Sequence, residues 1–198
     1  MEKKFFIFIG RSGSGKGTQT ALLKEYLEKK GHTDVIHITT GGGFREFITQ
    51  DNYIARLSKT VNETGGLQPE FLAVWNWANI FINQLKENET VILDGAPRKA
   101  FEASVLHSVV TFLEYKDPVV VYVDVLESFA KANLISRGRE DDKNEKEVDA
   151  KMSWFEEDVL SALDVYIHDP RYKVLHVNGN QSIDEVHKEL VEKLEKVS

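Results

Sequence analysis

Short apolar stretches recur along this chain with helix-like patterns between them, and no other feature restricts its fold so tightly. The strong ones are Phe5 to Ile9, Val91 to Leu93, Val119 to Val123 and Val174 to Val177; Val35 to Ile38 is weaker. Their apolarity is unbroken rather than alternating, as in strands covered by helices on both faces. Between them, Thr18 to Lys30 carries Ala21, Leu22, Leu23, Tyr26 and Leu27 at helical spacing and stops at Gly31. A last helix opens at Ser182, with Glu185 three residues on as a capping box, and lines up Val186, Leu190, Val191 and Leu194. Strand alternating with helix predicts an α/β fold around a five-stranded parallel sheet.

Two stretches break the rhythm. Residues 39–87 hold two or three helical patterns where a crossover needs one, split by the turn Gly65-Gly66-Leu67-Gln68-Pro69. Residues 137–147 are almost wholly charged. Both read as insertions on a single core, and 198 residues suit one domain. The balance of 25 basic against 32 acidic residues gives a net charge of −7, which argues against nucleic-acid and anionic-membrane partners. Zero cysteines remove disulfides, thiolate chemistry and cysteine metal sites. The apolar run after Met1 is too short for a secretory signal, and no stretch approaches the ~20 apolar residues that span a bilayer. The expectation is a soluble, cytoplasmic protein.

Chemistry enters with Gly10-Arg11-Ser12-Gly13-Ser14-Gly15-Lys16-Gly17-Thr18, directly after the first strand and opening the first helix. G-x-x-x-x-G-K in that context is a phosphate-binding loop. Its glycines let consecutive backbone N–H groups converge on phosphate oxygens, the helix N-terminus adds partial positive charge, and Lys16 adds a full one. The hydroxyl residue that usually follows the lysine is displaced by one, from Gly17 to Thr18. The second signal is Val91-Ile92-Leu93-Asp94-Gly95-Ala96-Pro97-Arg98 at the end of the third strand. A carboxylate there can hold a water of a hydrated Mg²⁺, and Arg98 can fork onto a second phosphate.

Together, Gly-x-x-Gly-x-Gly-Lys-Gly-Thr-Gln and Asp-Gly-x-Pro-Arg resemble the adenylate kinase family of nucleoside monophosphate kinases, and the similarity covers nearly the whole chain. The resemblance implies a P-loop three-layer fold with core residues 1–38, 86–136 and 148–198, a helical monophosphate-binding insertion at 39–85 and a short lid at 137–147. Thr39-Thr40-Gly41-Gly42-Gly43-Phe44-Arg45 matches the family segment whose threonine lies by the acceptor base and whose arginine grips the monophosphate. Gly66-Leu67-Gln68-Pro69-Glu70 resembles the segment whose backbone borders that base. Arg137-Gly138-Arg139-Glu140-Asp141-Asp142, followed by Asn144-Glu145, resembles the short lid, which has no zinc site. Val177-Asn178-Gly179-Asn180-Gln181 resembles the loop beside the donor adenine.

The implied catalytic set is Lys16, Asp94, Arg98, Arg137, Arg139 and Lys151. ATP would lie on Gly13, Ser14, Gly15, Lys16, Gly17, Thr18, Asn133 and Gln181. The monophosphate would lie on Thr40, Gly41, Arg45, Leu67, Gln68, Gly95, Arg98 and Glu102. The implied substrates are ATP and a nucleoside monophosphate, AMP first, with Mg²⁺ held through water near Asp94 and the protein a monomer. In-line phosphoryl transfer needs this much positive charge because negative charge spreads over donor and acceptor together.

Departures from the family pattern carry information. The family's acid after Thr-Gly is Gly42, inside a triple glycine that predicts a more mobile acceptor loop. The first lid-helix arginine, near the donor base, is Asn133; the last lid-side arginine is Lys151. Where an adenylate kinase has a glutamine facing the acceptor base stands Glu102, which when ionised only accepts hydrogen bonds. That keeps a kinase for GMP, CMP or UMP as the alternative, and a nucleotide-binding sensor without turnover as a third reading. Trp75 and Trp77, two apart in a helical pattern, cannot share one face; core packing is the favoured account of both, with one of them free to edge a site. The six histidines show no metal-ligand spacing.

Overall fold

A computed structural model of the chain describes residues 2–139, 142 and 144–197. Glu140 and Asp141 of the expected lid motif lie outside the described residues. Five strands form one all-parallel sheet in the order β2-β3-β1-β4-β5: β1 (Phe5–Ile9), β2 (Val35–Thr39), β3 (Thr90–Asp94), β4 (Val119–Asp124) and β5 (Lys173–Asn178). Each expected apolar run is a strand. The unbroken pattern describes the inner strands best, since every residue of β1 is buried, whereas β5 at the edge alternates between buried and exposed positions.

Alternation along β1 divides its side chains between two layers. Phe6 and Phe8 join Leu23 and Leu27 of α1 (Lys16–Lys29) and Val186, Leu190 and Leu194 of α9 (Ile183–Val197) in one cluster. Phe5, Ile7 and Ile9 face α4 (Glu70–Gln84), α5 (Ala100–Phe112) and α8 (Leu160–Ile167), with Trp77, Phe81, Leu106 and Tyr166 in the other. Helix, sheet, helix is the three-layer α/β arrangement that the run pattern implied. The capping box of α9 forms as expected, Ser182 N–H donating to Glu185 Oε2 at 3.0 Å and Glu185 N–H to Ser182 Oγ at 3.4 Å.

Three helices fill the span between β2 and β3: α2 (Thr40–Phe47), α3 (Tyr53–Glu63) and α4. The triple glycine lies inside α2, correcting the expectation of a mobile loop there. Its reason is close packing: a Cβ on Gly43 would stand 2.2 Å from Asn76 Oδ1 of α4, and one on Gly42 would stand 2.5 Å from Thr39 Oγ1. On the far side, α6 (Glu127–Arg137) stops at Gly138, left-handed at φ 60°, and α7 (Glu145–Trp154) opens on Asn144, whose Oδ1 accepts from Lys146 N–H at 3.0 Å. A π-helical turn, Phe155–Val159, joins α7 to α8. Among the described residues no helix is long and apolar enough to cross a membrane.

Candidate active site

The carboxyl ends of β1, β2 and β3 converge on one edge of the sheet, where the strand order reverses and open α/β sheets take their ligands. The phosphate loop leaves β1 here. Gly13 and Gly15 take φ values of +84° and +85°, which L side chains resist, and a Cβ on Gly13 would stand 2.3 Å from the Ala130 carbonyl of α6. The loop is therefore pressed against α6, and Asn133 tightens the seam: its Nδ2 donates to the Gly13 carbonyl at 2.9 Å.

Lys16 curls back over this loop. Its Nζ donates to the carbonyls of Gly10 and Arg11, both at 2.7 Å, and lies 3.3 Å from Ser14 Oγ. Burial lowers its pKa to about 8; Asp94 opposes that shift, while Arg98 and Arg137 reinforce it. Asp94 is the last residue of β3, and a Cβ on Gly17 would stand 3.5 Å from its Oδ2. The carboxylate thus lies beside the first turn of α1, close to exposed Gly17 and Thr18.

Two pockets meet at this edge. The first, an open space of about 280 Å³, brings together Thr40, Leu67, Gln68, Gly95, Arg98 and Glu102, six of the residues expected around a monophosphate. The other, of about 270 Å³, holds Lys16, Gly10 and Ser12 of the phosphate loop with Pro97 and Trp154. Gly95 and Arg98 border both, so the two spaces join there. Thr40 Oγ1 donates to the Gly95 carbonyl at 2.8 Å, Asn76 Nδ2 donates to the Thr40 carbonyl at 2.9 Å, and Arg98 Nε donates to the Gly95 carbonyl at 2.9 Å. The Gln68 amide is engaged by Ser58, donating to its carbonyl and accepting from its hydroxyl, both at 2.9 Å. Glu102 is 3% exposed and accepts from Arg98 N–H at 3.4 Å. Burial raises its carboxyl pKa above the usual range, against the pull of Arg98.

Other expected site residues stand apart from these pockets. Arg45 is exposed on α2, its Nη1 lying 3.3 Å from where a Cβ on Gly41 would be. Gln181 Nε2 donates to the Asn178 carbonyl at 2.8 Å and to Glu189 at 2.7 Å, closing the loop after β5. Arg137 and Lys151 both rest on Asp142, with Arg137 Nε at 2.5 Å, Arg137 Nη2 at 3.1 Å and Lys151 Nζ at 2.9 Å. Arg139 is exposed just beyond Gly138. Among the described residues no group of three or more His, Cys, Asp or Glu side chains could hold a metal ion.

Sequence reasoning missed several lining residues. Phe44, Ala73, Trp77 and Ala96 border the first pocket, and Trp154 sets its ring 5.2 Å from the Arg98 guanidinium while its Nε1 donates to the Gly65 carbonyl at 3.0 Å. The paired tryptophans held a usable signal. Trp77 is 1% exposed and borders the pocket, whereas Trp75, 43% exposed, lies against Phe47.

A phosphate loop after β1, with an arginine-bearing pocket beside it, defines a P-loop phosphotransferase. A family model described as an AAA domain matches residues 9–149. The chain is 32% identical over 184 residues to Adenylate kinase 1 of Nostoc sp., covering 93% of this chain and 95% of that protein. It is 28% identical over 178 residues to an adenylate kinase of Prochlorococcus marinus, covering 90% and 92%. Against an adenylate kinase of Phocaeicola vulgatus it is 28% identical over 194 residues, covering 96% and 98%. The chain belongs to the adenylate kinase family.

Proposed function

We propose that this protein moves the γ-phosphoryl group of ATP onto AMP, giving two ADP. One observation carries the reading: Lys16 and Arg98 share a pocket, and Arg98 with Gly95 also borders the pocket of Thr40, Leu67 and Glu102. A donor over the phosphate loop and an acceptor in the second pocket would meet at that junction, the geometry an in-line transfer needs.

In this reading the donor phosphates replace the Gly10 and Arg11 carbonyls as partners of Lys16. They also restore its full charge, which burial weakens in the free protein. Arg98 forks onto the acceptor phosphate, and Arg45 reaches it from α2. Lys16 keeps its proton and works by charge. The core is residues 1–38, 86–136 and 148–198; the segments 39–85 and 137–147 close over it to exclude water, bringing Arg137 and Arg139 to the side of Lys151. The donor nucleoside lies along Asn133 and Gln181. The residues fit a hydrated Mg²⁺, because Gly17 has no side chain to crowd the Asp94 carboxylate and magnesium keeps several of its waters. Bound with ATP, that ion would neutralise and orient the phosphates. The expected donor and acceptor residues lie within one chain, consistent with a monomer, and nucleotide substrates support a cytoplasmic role.

Glu102 favours a second reading, a kinase for GMP, CMP or UMP, because an ionised carboxylate accepts and does not donate. A coupled assay with Mg-ATP against AMP, GMP, CMP, UMP and dTMP tests both, with Lys16→Ala as control. Fast ADP formation with AMP supports the first reading. Preference for another monophosphate keeps the mechanism and changes the acceptor, while silence with all five overturns both.

A further inference from the structure

One residue bordering the pocket of Thr40, Arg98 and Glu102 carries a buried hydrogen-bond donor with no partner among the described residues. Trp77 lies on α4 one turn beyond Ala73 and borders the pocket together with Glu102. Its ring packs at 5.9 Å from that of Phe81, yet its buried Nε1–H has no hydrogen-bond partner among the described residues. An indole N–H can only donate, and buried donors in native structures are almost always paired. Other polar side chains around the pocket are committed. Thr40 gives its hydroxyl to the Gly95 carbonyl, the Gln68 amide is closed by Ser58, and Arg98 Nε holds the Gly95 carbonyl. Glu102 brings acceptors.

We propose that Trp77 is a specificity-determining residue that reads the acceptor base, its Nε1–H donating to a ring nitrogen of adenine while the Glu102 carboxyl accepts from the adjacent 6-amino group. The inference rests on the AMP reading above and removes its main difficulty. A glutamine would offer adenine a donor and an acceptor at once, and a carboxylate offers only the acceptor. Trp77 restores the missing donor from the neighbouring helix. Adenine suits the pair because its amino group is flanked by ring nitrogens that accept. The apolar lining from Phe44, Leu67 and Ala73 suits the faces of a flat base.

Calorimetric titration of the purified protein and of Trp77→Phe with AMP and with ribose 5-phosphate tests the proposal. Phenylalanine keeps most of the ring and loses the N–H. The variant should bind AMP about tenfold more weakly, the cost of one lost hydrogen bond to a buried partner. The kinetic loss should sit in KM for AMP rather than in kcat. Ribose 5-phosphate, which carries no base, should bind both proteins alike. Equal affinity of both proteins for AMP, or equal weakening for AMP and ribose 5-phosphate, overturns the role. If Trp77→Phe does not fold, the unaltered protein decides between AMP and its 1-deaza and 7-deaza analogues. One analogue should bind about tenfold more weakly, and parity of both with AMP rejects the proposal. Preference of the unaltered protein for GMP, CMP or UMP breaks the AMP reading and the adenine assignment with it. AMP preference with an indifferent Trp77→Phe breaks the Trp77 role alone.

Discussion

The proposed acceptor pocket and the proposed lid segment both hold polar side chains, and they hold them in opposite ways. Around the pocket, Thr40 Oγ1 and Arg98 Nε donate to the Gly95 carbonyl, and Gln68 is held by Ser58. Beyond α6, Arg137 and Lys151 are tied to one carboxylate, Asp142, whose side chain is 0% exposed. The first group stands at the start of α2 and in the turns before α4 and α5, beside the carboxyl end of β3. The second lies where Gly138 and Asn144 interrupt the helices. Neutral partners position the pocket residues before a ligand arrives, whereas Arg137 and Lys151 are held by a charged one.

Removing charge from the ready half should have the largest effect. Lys16→Met should lower kcat at least about a thousandfold, the scale of cationic groups that stabilise a transferring phosphoryl. The same change should raise the melting temperature of the free protein at pH 7 by roughly 3 °C. Lys16 titrates near 10.5 when unfolded and near 8 when folded, so the unfolded chain holds more protons between those values. Stability of the unaltered protein should therefore rise from pH 8 towards 10.5, and the advantage of Lys16→Met should fade over the same range. Thermal melts at pH 7 and pH 10 check the sign. A Lys16→Met protein less stable at pH 7 would mean that the three contacts of Nζ outweigh its burial.

Arg98→Ala comes next, with kcat/KM for the monophosphate reduced roughly a hundredfold or more. Its effect on folding should be smaller, since Arg98 lines both pockets rather than the apolar core. Parallel kinetics and melts decide this; matched losses would make Arg98 a structural residue.

Asp142→Asn tests the latched half. Breaking a buried ion pair from one side costs about 3 kcal/mol, a fall of roughly 6–12 °C in melting temperature. With Asp142 no longer offsetting the charge of Arg137, the protein should meanwhile bind ATP roughly threefold more tightly. Opposite movement of stability and affinity, read by melts and titration, is the expected outcome. An unchanged midpoint would remove the latch.

Legibility in the sequence followed the same division. Strand β1 could be read directly because an inner strand must be apolar on both faces, and Asp94, Gly95 and Arg98 could be read from their position at a strand end. Gly41-Gly42-Gly43 misled, because glycine's weak helix propensity argues for a loop while Thr39 and Asn76 leave no room for Cβ atoms at Gly42 and Gly43. The types of Arg137 and Lys151 were plain, but their shared partner was not, since only folding decides which acid a cation meets. Trp154 belongs to no motif and reaches Arg98 from α7, a contact that spacing alone could not foresee. Glu102 stood out as a departure, yet its burial appeared only once α5 had packed.

That burial sets up the smallest effect. Burial raises the Glu102 carboxyl pKa above its ordinary 4.5, so the neutral form is favoured in the folded chain. The resulting stabilisation is fully present below pH 4.5 and is lost as pH rises through the folded value. Glu102→Gln, neutral at every pH, should match the unaltered protein near pH 4 and melt a degree or two higher at pH 7. Alone it should change KM for AMP about threefold or less, because an amide carbonyl still accepts from the 6-amino group while Trp77 keeps donating. Combined with Trp77→Phe it should do more, since the amide N–H can supply the donor that phenylalanine lacks. The double variant should then bind AMP more tightly than Trp77→Phe, with a coupling of about 1 kcal/mol. Simple additivity would separate the two residues and leave the adenine edge unread by the pair.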